Sequence, residues 1–178
     1  MIKRRNFLLS STAAIAGKAR AQGLSPRYRL GFAGLGPLYF GMPEAQIAER
    51  FGEALEEAEA PGEACHARRF ATSGASPLTG LVLIIRNGRL ARLDVDTPDW
   101  QTQSGARVRM PEGELRKIYG RRLREEPHPI DVTGRLLLLS AQEANLRHLA
   151  IVFESDGDRV TRIRAGLAKD LTRLEECP

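Results

Sequence analysis

Met42-Pro-Glu-Ala-Gln-Ile-Ala-Glu-Arg-Phe-Gly52 and Met110-Pro-Glu-Gly-Glu-Leu-Arg-Lys-Ile-Tyr-Gly120 are one pattern written twice, with Met110 falling 68 positions after Met42. Met, Pro, Glu and the closing Gly are identical in the two copies. Ile47 and Phe51, like Leu115 and Tyr119, stand four residues apart, which places each pair on one face of a helix. Pro lacks the N–H that a first helical turn leaves unused, Glu suits the positive end of the helix dipole, and Gly suits a C-terminal stop. Each segment reads as a short helix starting at its Pro, and an internal repeat is the first property of the chain.

The stretches C-terminal to each helix are strand-like. Leu81-Val-Leu-Ile-Ile85, Asn87-Gly88 and Leu90–Val95 match Leu149-Ala-Ile-Val-Phe153, Asp156-Gly157 and Val160–Ala165. Both have the Asn/Asp-Gly chemistry that supplies positive φ to a tight hairpin. The second copy gains one or two residues across the turn. Cys65–Phe70 and Arg135–Leu139 add a further antiparallel strand before each hairpin. Leu38-Tyr-Phe40 and Ala106-Arg-Val108 read as short leading strands. The expected class is α+β: a tandem repeat of a short helix and about three antiparallel strands, with the sheets joined and the helices on one face. Neither unit is large enough to bury a core alone. The boundaries are 36–99 for the first unit and 100–178 for the second, with an N-terminal arm at 22–35. Glu53–Gly62 reads as a continuation of the first helix or a segment just beyond it, and Ala71–Thr79 as a loop. Asp96–Ser104 reads as the linker and Glu125–Pro129 as a stiff turn.

Ahead of the arm, Lys3-Arg4-Arg5 precedes a small-residue, weakly apolar stretch and Ala19-Arg-Ala21. Residues 1–21 read as a twin-arginine-type signal peptide, and the mature chain as a soluble periplasmic protein. The formal charge of +5 belongs to this leader, because Lys3, Arg4, Arg5, Lys18 and Arg20 face no acid there. The remainder is balanced and gives no electrostatic reason to bind nucleic acid. No later stretch has the length and apolarity of a membrane span. Cys65 and Cys177 are the two cysteines. In an oxidising compartment they read as one disulfide, whose loop closure would contribute up to about 4.8 kcal/mol.

Gly36-Pro-Leu-Tyr-Phe-Gly41-Met42 opens the first unit, and Arg109 stands where a Gly would precede Met110. This element resembles one that opens each repeat in a group of small exported bacterial proteins. Their helix-plus-sheet units are similar to those of β-lactamase-inhibitory proteins and the small outer-membrane assembly lipoproteins. The resemblance covers about residues 34–177 and implies the fold. It further implies binding of an enzyme or envelope protein on a sheet face, without a cofactor. The chain departs from the assembly lipoproteins in having two units and no lipidated Cys, and its cysteines do not pair within one unit.

The outward-pointing alternates Arg69, Arg92 and Arg162 are candidate partner contacts on the sheet. Arg116, Lys117, Arg121, Arg122 and Arg124 form the densest basic run of the mature chain and suit the C-terminal end of the second helix. Of these, Arg116, Lys117, Arg121 and Arg122 are further candidate partner contacts, either a patch that docks an acidic protein, an anionic lipid head group or a cell-wall polymer, or a solvated helical face balanced by Glu125 and Glu126. Trp100 reads as an interface anchor or as the plug between units. His66, His128 and His148 lack metal-pair spacing and a nucleophile setting, so no catalytic, metal or cofactor residue is assigned. Glu154, Asp156 and Asp158 flank the second turn, either as solvated acids or as a carboxylate cluster, without the spacing of a calcium loop. The expectation is an exported protein-binding or inhibitor-like module that acts without catalysis. Its alternatives are a metal-dependent envelope hydrolase using Asp94, Asp96 and Asp99, or a module that binds cell-wall glycan.

Overall fold

The computed structural model describes residues 24–51, 54–58, 64–72, 76–171 and 177. The leader expected at 1–21 lies outside them. The chain has a mixed α+β architecture with two sheets and short helices. One sheet is antiparallel and eight-stranded: β4 (Leu55–Glu57), β5 (Cys65–Phe70), β6 (Leu81–Arg86), β7 (Arg89–Val95), β12 (Val160–Leu167), β11 (Leu149–Ser155), β10 (Arg135–Ser140) and β9 (Leu123–Pro127), in that spatial order. The first four strands lie before residue 100 and the second four after it. They meet where β7 pairs with β12, Val95 opposite Ile163 and Arg92 opposite Gly166. Each side thus contributes four strands where about three were expected.

The added strands, β4 and β9, are the edges. Both carry charge where the sequence pattern sought apolar alternation, and charge on an edge discourages pairing with other chains. Glu56 and Glu57 lie opposite Arg69 and Arg68, so cross-strand ion pairing and the docking of Leu55 on the core override the helical preference of this Ala-rich segment. The segment 53–62, read as part of the helix or just beyond it, therefore contains a strand. Likewise β9 takes up part of the stretch read as a stiff turn at 125–129, and the reversal comes after it.

Alternation divides the eight-stranded sheet into two faces. Leu81, Leu83, Leu93, Val95, Leu137, Leu139, Ile151, Phe153, Ile163 and Ala165 point to one face and form the main core. Ile47 and Phe51 of α1 (Glu44–Phe51) and Leu115 and Tyr119 of α2 (Glu112–Tyr119) pack into this same core. So does a four-stranded sheet ordered β3 (Leu38–Tyr39), β2 (Gly34–Leu35), β1 (Arg29–Gly31) and β8 (Gln101–Thr102). The segment read as an arm is thus folded in, with β1 parallel to β8 from the supposed linker. Leu38–Tyr39 is a strand as expected. Ala106–Val108 is not, although Arg107 forms a single bridge to Gln101.

Each helix starts one residue after its Pro. Pro43 bridges Arg89 and Pro111 bridges Arg159, so both prolines are held in extended pairing with the hairpins and the helices begin at Glu44 and Glu112. The same three backbone bonds occur in both places. The N–H of Gly41 donates to the Leu90 carbonyl at 2.7 Å, that of Leu90 to Met42 at 2.9 Å, and that of Glu44 to Gly88 at 3.0 Å. In the other half, Arg109 donates to Val160 at 2.8 Å, Val160 to Met110 at 2.9 Å and Glu112 to Asp158 at 2.7 Å.

The opposite face carries two small apolar clusters, Leu136, Leu138, Ala150, Val152 and Leu171 on one side and Cys65, Ala67, Val82 and Ile84 on the other. The short α3 (Ala168–Leu171) packs on β11 and β12, and a Cys65–Cys177 disulfide with its Cα atoms 5.6 Å apart fastens the C-terminal segment to β5.

Candidate functional site

Between the two apolar clusters of the second face lies a line of buried charge. Arg92 and Asp94 are two residues apart on β7 and so share a face. Their side chains form a two-point pair, Nε to Oδ1 at 2.8 Å and Nη2 to Oδ2 at 2.9 Å. Arg92 also donates from Nη1 to the Asp170 carbonyl at 3.0 Å. Arg164, opposite Asp94 on β12, pairs with Glu154, and its Nε lies 3.8 Å from Asp94. Burial pushes the Arg164 guanidinium down from its ordinary value, against the pull of Glu154 and Asp94. Two arginines thus receive the end of α3 and fill the centre of the sheet.

This bears on the residues expected to reach outward from the sheet. Arg92 was expected to reach outward, but it is 1% exposed, because α3 covers the middle of the face. Trp100 is likewise 1% exposed, packed in the core between the units, which is the plug alternative and not an exposed anchor. Asp94 is held by Arg92 while Asp96 is exposed and Asp99 is exposed. Among the described residues no three His, Cys, Asp or Glu side chains gather as a metal-binding group. Arg69 and Arg162 are half-buried on the same face as Arg92. In the basic run, Arg116 bonds Glu112 and Glu125, each at 2.7 Å from Nη2, and Arg124 pairs with Glu126 at 2.8 Å. Lys117, Arg121 and Arg122 are exposed.

His66 joins Glu44, Nε2 to Oε2 at 2.9 Å, beside Arg68, whose Nε donates to Glu44 Oε1 at 2.7 Å. Partial burial pushes the Glu44 carboxyl up, but the bonds from Arg68 and His66 outweigh it and hold it below the usual range. This cluster fastens α1 to β5. Glu112 does the same for α2, accepting from Arg116 and from Ser155 Oγ at 2.6 Å. His148 is exposed at the far end of β10 and β11.

A different surface stands out as the candidate interface. The connection from β9 to β10, His128-Pro-Ile-Asp-Val-Thr-Gly134, leaves Ile130 78% and Val132 100% exposed. Its backbone is nevertheless tied down. His128 Nδ1 accepts from the N–H of Ile130 at 3.3 Å and of Asp131 at 2.9 Å. His128 N–H donates to the Gly134 carbonyl at 3.1 Å and Gly134 N–H to Asp131 at 3.0 Å. Asp131 Oδ1 accepts from the Thr133 N–H and lies 2.9 Å from its hydroxyl, which is also 3.1 Å from the Asp156 carbonyl. The Thr133 side chain and N–H hold the Asp131 carboxyl below its usual range. The N–H groups of Arg159 and Asp158 do the same for Asp156 in the neighbouring turn.

Two clefts border this loop. One, of about 980 Å³, runs between it and the 156–158 turn, lined by Glu125, Val132, Thr133, Arg135, Asp156 and Asp158 among others. The other, of about 340 Å³, opens on the second face of the sheet between His128, Glu154, Thr161, Arg162 and Arg164. Sequence reasoning missed this surface because Pro-His-Pro reads only as a turn, and the two apolar residues beyond it lack periodicity. Ile130 and Val132 between turn-forming residues were the available signal.

No family model matches the chain, and no curated protein does. Among solved structures, the chain is similar to the uncharacterised protein YfeY from Escherichia coli, with a TM-score of 0.50 and 16% identity, covering 78% of this chain and 99% of that one. At that identity the likeness is one of fold alone.

Proposed function

We propose that this chain is an exported envelope protein that acts by binding another protein through the 128–134 loop. The observation that carries this reading is the display of Ile130 and Val132 on a backbone held by its own hydrogen bonds. Exposed apolar side chains gain free energy only when a partner covers them, and a loop ordered in advance loses little conformational entropy on binding. The flanking clefts supply a polar rim around an apolar centre, the usual composition of such surfaces.

Location rests on the twin-arginine-type leader, and the Cys65–Cys177 bridge is in keeping with an oxidising compartment such as the periplasm. The helix-and-hairpin arrangement met twice fits a duplicated unit, as in the β-lactamase-inhibitory proteins that the sequence resembles. In this chain α3 lies across the sheet face that such a likeness would offer, which favours the loop as the contact surface. The partner on this reading is an envelope protein.

The test is site-specific photo-crosslinking in the native host. A crosslinking residue at position 130 or 132 should yield the same discrete protein adduct, and one at position 148, at the opposite end of the sheet, should not. Ile130→Ser together with Val132→Ser should then weaken binding of that purified partner at least about tenfold, as loss of a central apolar contact does. Equal labelling from all three positions, or none from any, overturns the reading.

A further inference from the structure

The smaller cleft carries a more specific assignment. Its donors are His128, Thr161, Arg162 and the buried Arg164. His128 Nδ1 accepts two backbone N–H groups, which places the ring proton on Nε2 and makes that nitrogen a donor. Arg162 lies directly opposite Glu154 across the β11–β12 ladder, the acid that would ordinarily neutralise it. That carboxylate is engaged by Arg164 instead. Asp94 is engaged by Arg92 at two points. The charges along this face therefore pair off and leave Arg162, half-buried at the cleft wall, with no ion pair among the described residues.

We infer that the cleft between His128, Glu154, Thr161, Arg162 and Arg164, in which Arg164 takes up the charge of Glu154, is a subsite for a single oxyanion, a carboxylate or a phosphate group, bound by the Arg162 guanidinium, the His128 Nε2–H and the Thr161 hydroxyl. A guanidinium fits either group with two parallel bonds. The volume, about 340 Å³, is at the small end of ligand pockets and accommodates a side-chain-sized anion. Because His128 also begins the loop bearing Ile130 and Val132, an acidic or phosphorylated group next to an apolar patch on the partner would reach both. That coupling rests on the protein-binding reading, whereas the subsite itself does not.

The experiment is a titration of the isotope-labelled protein, monitored by NMR at the Thr161 amide and the His128 ring, at constant ionic strength and pH. One arm uses N-acetylglutamate amide and the other inorganic phosphate. A saturable shift at both reporters in either arm is expected, weakened about tenfold or more in Arg162→Gln, as loss of a charged hydrogen-bond donor does. Arg122→Gln, on the exposed basic run, should leave the titration unchanged. Saturation by the amide alone assigns a carboxylate, by phosphate alone a phosphoryl group, and by both an oxyanion site without preference. Non-saturating shifts in both arms, or saturation that survives Arg162→Gln, overturn the inference. Should Arg162→Gln disturb the fold, Thr161→Val serves as the second variant and must weaken the same titration. Failure here leaves crosslinking from positions 130 and 132 unaffected, so the two readings fail separately.

Discussion

Arg109 holds φ at 68° at the position where Gly41 holds 91°, and both donate the backbone bond that fastens a helix start to a hairpin. The left-handed region costs a side-chain-bearing residue roughly 1–2 kcal/mol through its Cβ, a cost absent for glycine. The second unit tolerates this because Arg109 stays exposed and its carbonyl still accepts from Arg159 at 3.2 Å, as that of Gly41 accepts from Arg89 at 2.9 Å. Arg109→Gly should therefore raise stability by about 1 kcal/mol, a gain of about 2–4 °C in the unfolding midpoint by calorimetry. Gly41→Ala should lower it by a similar amount, since no neighbour lies within reach of an added Cβ and only the backbone conformation is penalised. At the buried pair, Arg92→Met would leave Asp94 in the interior with only the 3.8 Å approach of Arg164 and should cost about 3 kcal/mol in urea unfolding. Adding Asp94→Leu to that variant should recover much of the loss, because the pair's worth lies mostly in mutual compensation.

At the scale of elements, each helix is held twice: by its start on a hairpin and by a first-turn Glu on the sheet. The Glu44 carboxyl lies below its ordinary value of 4.5, and so does that of Glu125, held chiefly by Arg116. A carboxyl depressed on folding contributes its full stabilisation above its unfolded value and loses it as the pH falls through the folded one. The unfolding midpoint should drop between about pH 5 and 3, and Glu44→Gln, about 1 kcal/mol less stable near neutrality, should show a shallower drop over that window. A parallel fall in both proteins would remove Glu44 from the acid response. The edge strands obey a different logic. β4 and β9 were hidden from periodicity because their charged side chains find partners across the sheet, such as Glu57 with Arg68 at 3.2 Å and Glu125 with Arg135 at 2.8 Å.

Across the whole molecule, the join between halves depends on close backbone approach. Gly166 has φ 146°, and a Cβ there would lie 2.2 Å from the Ala91 carbonyl oxygen. Gly166→Ala should cost at least about 2 kcal/mol, combining a backbone clash with a conformation that L-residues rarely adopt. The disulfide acts at the same scale: its sequence separation of 112 residues ties the tail to β5. Reducing it should lower stability by up to about 4.8 kcal/mol and increase hydrogen exchange in α3, whose end is otherwise held by Arg92 and Arg164. Unchanged exchange in α3 would show that the arginine contacts suffice.

By itself the sequence determined the two helices, the two hairpins and the partnership of Cys65 with Cys177, because periodicity, Asn/Asp-Gly turns and a single pair of cysteines are local or countable signals. Only the tertiary structure decided that Arg92 turns inward, since alternation gives a side chain's face but not what covers it, and α3 covers this one. It alone drew the arm and linker into a second sheet, through pairing between residues about 70 positions apart. It also decided that Ile130 and Val132 stand in solvent, and that Arg162 is left without the acid opposite it. Those facts depend on which groups meet from distant parts of the chain, and no spacing within one segment encodes them.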